Sequence, residues 1–411
     1  MKLINILLLI FIVAACSQKE STEETVEPTD EELRAKADEL AKKFIITDGH
    51  VDLPYRLKGS NFDIETEKEL LISTENGDFD YERAVKGGLD APFMSIYIPA
   101  RYQETGGAKE VADTLINLVA SITEAYPDKF ALANSPADVQ ANFDAGKISL
   151  PMGMENGAPI EDDLANVKYF HERGIRYITL THSKDNQICD SSYDTTRTWN
   201  GLSPFGREVV AEMNKVGIMV DVSHISDSTF YQVMELSEAP VIASHSSCRH
   251  FTPGFERNMG DDMIKLLGEK GGVIQINFGS TFLDIKSQEA REHVRNYLQE
   301  NNLSREDSAA QAYMTEYYKT NPFFSTVDKV ADHIDRVVEL AGIDHVALGS
   351  DYDGVGDSLP EGLKDVSEYP NLIYVLLKRG YTEEDIEKIC YKNVFRVWNK
   401  VEQVAKSSQN M

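Results

Sequence analysis

Short apolar runs recur along the chain, each bounded by turn residues and most of them ending on a polar or ionisable side chain. They occupy 44–50 (FIITDGH), 92–98, 148–155, 175–182, 218–224, 240–245, 272–278 and 345–351. Their length fits buried strands. Between them the apolar spacing changes to three and four. The stretch from Gly206 to Val216 sets Val209, Val210, Met213 and Val216 on one helical face, and Val327 to Gly342 does the same with Val327, Val330, Ile334, Val337, Val338 and Ala341. Strands alternating with helices predict right-handed βα units and a parallel sheet. Eight such units predict a closed (β/α)8 barrel of the TIM type, with an open doubly wound sheet as the alternative.

Parallel strands covered on both faces read as continuous apolar runs, so polar residues at their ends stand out. Here those ends carry His50 and Asp52, Glu155, His182, His224, His245 and Asp351. In a barrel they would converge on the C-terminal face, where chemistry gathers. His50 and Asp52 flank Val51 and would point to one side of an extended strand, fit to hold a metal ion. Glu155, between Gly153 and Gly157, is placed to bridge two cations. His224 and His245 close successive strands with imidazoles, which suit zinc. His182 is a candidate ligand or hydrogen-bond donor to a reacting oxygen, and Asp351 a candidate general base and acid. Asp353 rivals Asp351, although Asp353-Gly354 reads as a turn. Asp48 and Asp221 are candidates for orienting the histidines from behind. His171, His250, His293, His333 and His345 read as structural or solvated. Each strand-end residue is weak evidence alone; four of the nine histidines at strand ends together are not.

Composition adds limits. With 411 residues, 42% of them hydrophobic, the chain can bury a large core. A formal charge of −27 argues against nucleic acid and anionic lipid as partners. Met1-Lys2 and the apolar run Leu3 to Val13 form an export signal too short to span a bilayer. Val13-Ala14-Ala15-Cys16 resembles a bacterial lipobox, which predicts a signal peptide over 1–15 and lipid on Cys16. An acidic tether over 16–30 and one folded domain over 31–405 would follow. The expected location is the bacterial cell envelope, with membrane contact through that lipid only. Cys189, Cys248 and Cys390 form no framework, and a Cys189–Cys248 bridge stays open.

In order, DGHVDLP, GMENG, TLTH, GLSPFGREVVAEMNKVGIMVDVSH, ASHSS, RNMGDD, VADHIDRVVELAGIDHVALGSDYDGV and NVFRVW resemble the membrane dipeptidase (renal dipeptidase) family of metal-dependent amidohydrolase-like barrels. The match runs from about Glu31 to Lys400. The resemblance implies two zinc ions per chain: His50 and Asp52 on the first, Glu155 bridging, His224 and His245 on the second. It implies substrate contacts from His182 and Arg257, proton transfer by Asp351, dipeptides as substrates with a D-residue tolerated at the C-terminal position, and a homodimer. Arg257 also suits this task unaided, because a guanidinium fork matches a free carboxylate; Arg249 is a nearby competitor.

Two departures bear on substrate choice. The chain reads Asn277-Phe278-Gly279 where the family often has Tyr after Asn-Phe, and 281–322 is longer than the family core, charged and helical in pattern. That insertion would be a lid, an oligomer contact or a solvated excursion. A related metal-dependent amidohydrolase acting on another amide, such as an N-acyl amino acid, is therefore the second reading. A non-catalytic peptide-capturing lipoprotein is the third, opposed by the complete ligand set with Asp351.

Overall fold

The computed structural model describes residues 28–409. Cys16 and the signal stretch 1–15 lie outside the described residues. Eight parallel strands make the central sheet: β1 (Ile46–Val51), β2 (Leu89–Tyr97), β3 (Met152–Glu155), β4 (Ile175–Thr179), β5 (Met219–Asp221), β6 (Ile242–Ser246), β7 (Val273–Ile276) and β8 (Val346–Leu348). Neighbours in the sheet follow chain order from β1 to β8. A parallel bridge between Val51 and Tyr352 joins the two outer strands, with Asp52 N donating to Tyr352 O at 2.8 Å and Asp351 N to His50 O at 3.1 Å. The sheet is thus a closed (β/α)8 barrel, and its closing bonds run through the strand ends that carry His50, Asp52 and Asp351.

Each of the eight apolar runs overlaps one barrel strand, β2 beginning three residues ahead of its run, but the run 148–155 is divided. Pro151 has no N–H to give to a ladder, so pairing changes there. Ile148–Leu150 pairs with Phe130–Leu132 in a separate two-stranded sheet, and only Met152–Glu155 enters the barrel. The two helical faces also form, over Pro204–Val216 and Val327–Ala341. Ser203 caps the first by accepting from Gly206 N, Pro204 sits where its missing N–H costs nothing, and Gly217 ends it at φ 94°.

The bottom of the barrel is closed by the C-terminal helix Asn393–Gln409, whose Val394, Val397, Trp398 and Val401 pack against Ile45, Phe93, Tyr177 and Met219. Each such side chain contributes about 1.5–3 kcal/mol of burial. That plug leaves the opposite, C-terminal mouth as the open end. Cys189, Cys248 and Cys390 are buried free thiols, so the Cys189–Cys248 bridge is not formed. Among the described residues no helix is long and apolar enough to cross a membrane.

Candidate metal centre

Six strands bring the ionisable side chains at or just beyond their ends to one point at the mouth. Glu155, at the end of β3, is the centre: its Oε2 lies 3.4 Å from His50 Nε2, and its Oε1 lies 3.0 Å from His224 Nε2, 3.3 Å from His245 Nε2 and 3.7 Å from His182 Nε2. His50 Nε2 also lies 3.5 Å from Asp52 Oδ2. The two carboxylate oxygens therefore face different groups of imidazoles. Three overlapping clusters result, each with ligand atoms within 4.8 Å of one another: His50, Asp52 and Asp351; His50, Glu155 and His245; and Glu155, His182 and His224.

Hydrogen bonds behind two of the imidazoles fix their tautomers. Tyr177 Oη donates to Gly49 O at 3.0 Å and so accepts from His50 Nδ1 at 2.8 Å. Ser244 Oγ donates to Asp221 Oδ2 at 2.6 Å and accepts from His245 Nδ1 at 2.7 Å. Both rings thus carry their proton on Nδ1 and aim a bare Nε2 lone pair at carboxylate oxygens. Acceptors facing acceptors in a buried place demand positive charge between them. His50 Nε2, Asp52 Oδ1 and His224 Nδ1 have no hydrogen-bond partner among the described residues, although all three are buried. Imidazoles and carboxylates in this arrangement fit divalent cations.

The electrostatics carry the same demand. Burial opposes ionisation of Glu155, yet His50, His182, His224 and His245 together hold its carboxyl well below the usual range. Burial likewise opposes a charge on His50, and Tyr177, Glu155 and Asp52 outweigh it, so its pKa rises: the site draws positive charge to His50 Nε2, a proton where no cation is bound. His224 and His245 are kept neutral by burial and by the nearby Arg257 cation, the state in which imidazole binds metal. Burial, with Asp52 and Glu155 close by, pushes the Asp351 carboxyl up. Asn277 Nδ2 donates to Asp351 Oδ2 at 2.7 Å and orients it.

Local backbone is bent to reach this geometry. His224 and Asp351 both adopt left-handed conformations, at φ 68° and 64°, which cost non-glycine residues about 1–2 kcal/mol each. Gly354 is required by close approach: a Cβ there would fall 2.2 Å from both Asp351 Oδ1 and Asp52 Oδ2. His182, His224 and Asp351 each lie three residues beyond the end of their strand, in the loops that leave β4, β5 and β8.

Arg257 is buried beside the cluster, donating to Ser246 Oγ at 2.7 Å and His245 O at 2.8 Å, with its Nε unpartnered. Arg249 is excluded from that role because Asp227 holds it through bonds of 2.7 and 2.5 Å outside the cleft. Asp353 is excluded in the same way: its buried carboxylate pairs with Arg56 at 3.2 Å and accepts from Asp78 N at 2.6 Å. Asp221 acts on His245 through Ser244, whereas Asp48 touches no imidazole; it accepts from the backbone N–H groups of His50 and Ser350 and ties β1 to β8. Tyr177, Ser244 and Asn277 were not singled out by sequence. Asn277 stands one residue before the end of the run 272–278, which closes on Phe278, while Tyr177 sits inside a strand and reads as core.

A cleft of about 990 Å³ opens above the cluster, floored by Asp52, Glu155, His224 and Asp351. The model of the membrane dipeptidase family, peptidase family M19, matches residues 34–411. The chain belongs to the membrane dipeptidase family. It is 32% identical over 372 residues to dipeptidase tcpJ of Claviceps purpurea, covering 89% of this chain and 79% of that one. The crystal structure of the probable dipeptidase PvdM from Pseudomonas aeruginosa superposes with a TM-score of 0.77 at 25% identity, covering 91% of this chain and all of the other. A metallopeptidase from Rhodobacter sphaeroides, liganded with a phosphinate mimic of the dipeptide L-Ala-D-Ala, gives a TM-score of 0.72 at 24% identity over 87% of this chain and 99% of its own. The protein is accordingly a metal-dependent dipeptidase of family M19, and dipeptides are its substrate class.

Proposed function

We propose that this dipeptidase works with two zinc ions, His50 and Asp52 holding the first, His224 and His245 the second, and Glu155 both. The observation that carries this reading is Glu155, with one oxygen turned to His50 and the other to His224 and His245. Two bound cations would supply Lewis-acid activation of water and of the peptide carbonyl. Arg257 binds the free carboxylate of the C-terminal residue through its guanidinium fork, which places the bond to that residue at the metal centre. His182, which lines the cleft with its Nε2 3.7 Å from Glu155, donates to the carbonyl oxygen as negative charge develops there. Asp351 takes a proton from the attacking water and delivers it to the leaving amine; its raised pKa suits the second task.

A D-residue at the C-terminal position is part of the reading, supported by the L-Ala-D-Ala mimic bound to the structural relative from Rhodobacter sphaeroides. The chain is further proposed to be lipid-anchored in the bacterial envelope through Cys16, on the strength of Val13-Ala14-Ala15-Cys16, and to act as a homodimer. The test is hydrolysis of L-Ala-D-Ala, L-Ala-L-Ala and N-acetyl-alanine by zinc-loaded and chelator-treated enzyme. Cleavage of both dipeptides, lost on chelation and restored by zinc, is expected. Cleavage of the N-acyl amino acid alone would move the assignment to the amidohydrolase reading.

A further inference from the structure

The insertion after β7 does not leave the barrel as a solvated excursion. Its turn and first long helix, Ile285–Glu300, form one wall of the cleft with Thr281, Phe282, Gln288, Arg291, Glu292 and Arg295. The helix is two-sided: Ser287, Ala290, Val294 and Leu298 are buried, while Gln288, Arg291, Glu292 and Arg295, at helical spacing, make the stripe that faces the cleft. Among the described residues no carboxylate pairs with Arg291. Arg295 has only Glu292, at 3.3 Å, and both of those side chains are about two-thirds exposed, so that pair is weak. The wall therefore offers an uncommitted guanidinium.

Its position relative to Arg257 decides what it would meet. The Phe282 ring, at the base of the wall, lies 5.4 Å from the Arg257 guanidinium, and both Arg257 and Arg291 act electrostatically on the phenol of Tyr193. A peptide held by its terminal carboxylate at Arg257 thus sets its C-terminal residue against this helix. Tyr55 and Tyr97 line the same cleft without charge, and the carboxylates of Asp52, Glu155 and Asp351 belong to the metal centre. Arg291 and Arg295 are the arginine side chains of the lining, so recognition of a negatively charged side chain away from the metal centre falls to the helical wall.

We propose that Arg291, assisted by Arg295, makes this enzyme prefer dipeptides whose C-terminal residue bears a side-chain carboxylate. This rests on the dipeptidase reading with Arg257 as the anchor. The test compares kcat/KM for Ala-Glu, Ala-Gln and Ala-Lys of one stereochemistry, using the intact enzyme and its exposed-site variants. Ala-Glu is expected to exceed Ala-Gln by about tenfold, chiefly through KM, and an increase in ionic strength from about 0.05 to about 0.5 M narrows the gap. Arg291→Gln brings the Glu-to-Gln ratio near one, and Arg291→Glu shifts the preference toward Ala-Lys. Equal kcat/KM for Ala-Glu and Ala-Gln in the unmodified enzyme, or a preference that survives the double replacement Arg291→Gln and Arg295→Gln, overturns the proposal. If Ala-Gln and its relatives are not cleaved at all while N-acyl amino acids are, the dipeptidase reading fails and this inference with it.

Discussion

Tyr177 shows how a residue with no reactive role governs the site. Its hydroxyl fixes the His50 tautomer, and its ring occupies the space above Gly153, where a Cβ would lie 1.9 Å from it. Groups behind a metal ligand commonly account for 10- to 100-fold in metal affinity. Tyr177→Phe keeps the ring and removes the hydroxyl that accepts from His50 Nδ1 and donates to Gly49 O. It is expected to fold normally and to raise the zinc dissociation constant by about 10- to 100-fold, with activity recovered at excess zinc. Unchanged zinc affinity, measured by competition with a chromophoric chelator, would remove Tyr177 from the account. The residues of the cluster were legible in sequence because each interrupts an apolar run at its end. Tyr177 was not, since an aromatic inside a strand is indistinguishable from core. Nor was the left-handed backbone of His224 and Asp351, which depends on tertiary bonds such as Asp351 N to His50 O.

At the scale of elements, the pattern of apolar runs places all eight barrel strands and both of the helical faces read from it. It fails where local chemistry interrupts it. Pro151 divides one run between two sheets, and Phe130–Leu132 is too short to register as a strand. The helix Val327–Ala341 was legible as amphipathic, but His333 on its buried side was not distinguishable from a solvated histidine. His333 Nδ1 accepts from Cys248 N at 3.0 Å and Nε2 donates to Leu283 O at 3.0 Å, so the neutral ring clips this helix both to the loop after β6 and to the base of the cleft wall. Burial lowers its pKa from 6.5 to about 4. Protons then bind the unfolded chain more readily than the folded one between those values, so this contribution is complete above pH 6.5 and is lost as pH falls through about 4. The full effect is of order 3 kcal/mol. Denaturant titrations from pH 8 to pH 4 are expected to show the loss. His333→Gln, less stable at pH 8, is expected to have a flatter profile by about one proton. An identical slope in the variant would assign the acid sensitivity elsewhere.

For the whole molecule, barrel closure turns a list of separated strand ends into one centre: residues from 50 to 351 meet because β8 bonds to β1. The order of alternation was enough to anticipate that ring; the cleft wall built by the insertion was not, because its charged face gives no sign of where it will pack. The acidic composition, 68 Asp and Glu against 41 Lys and Arg, opposes adsorption to anionic lipid, so the proposed envelope attachment rests on Cys16 alone. Cys16→Ala in a bacterial host should move the protein from the membrane to the soluble fraction, and retention in the membrane would contradict a lipid anchor. The central claim is that Glu155 holds two cations at one point, and metal content measures it most directly. Elemental analysis of the purified enzyme, with activity followed in the same samples, is expected to find about two zinc ions per chain, both needed for full dipeptide cleavage, and fewer than about one in Glu155→Gln. Full activity with one cation or none, or two cations retained by Glu155→Gln, would contradict it.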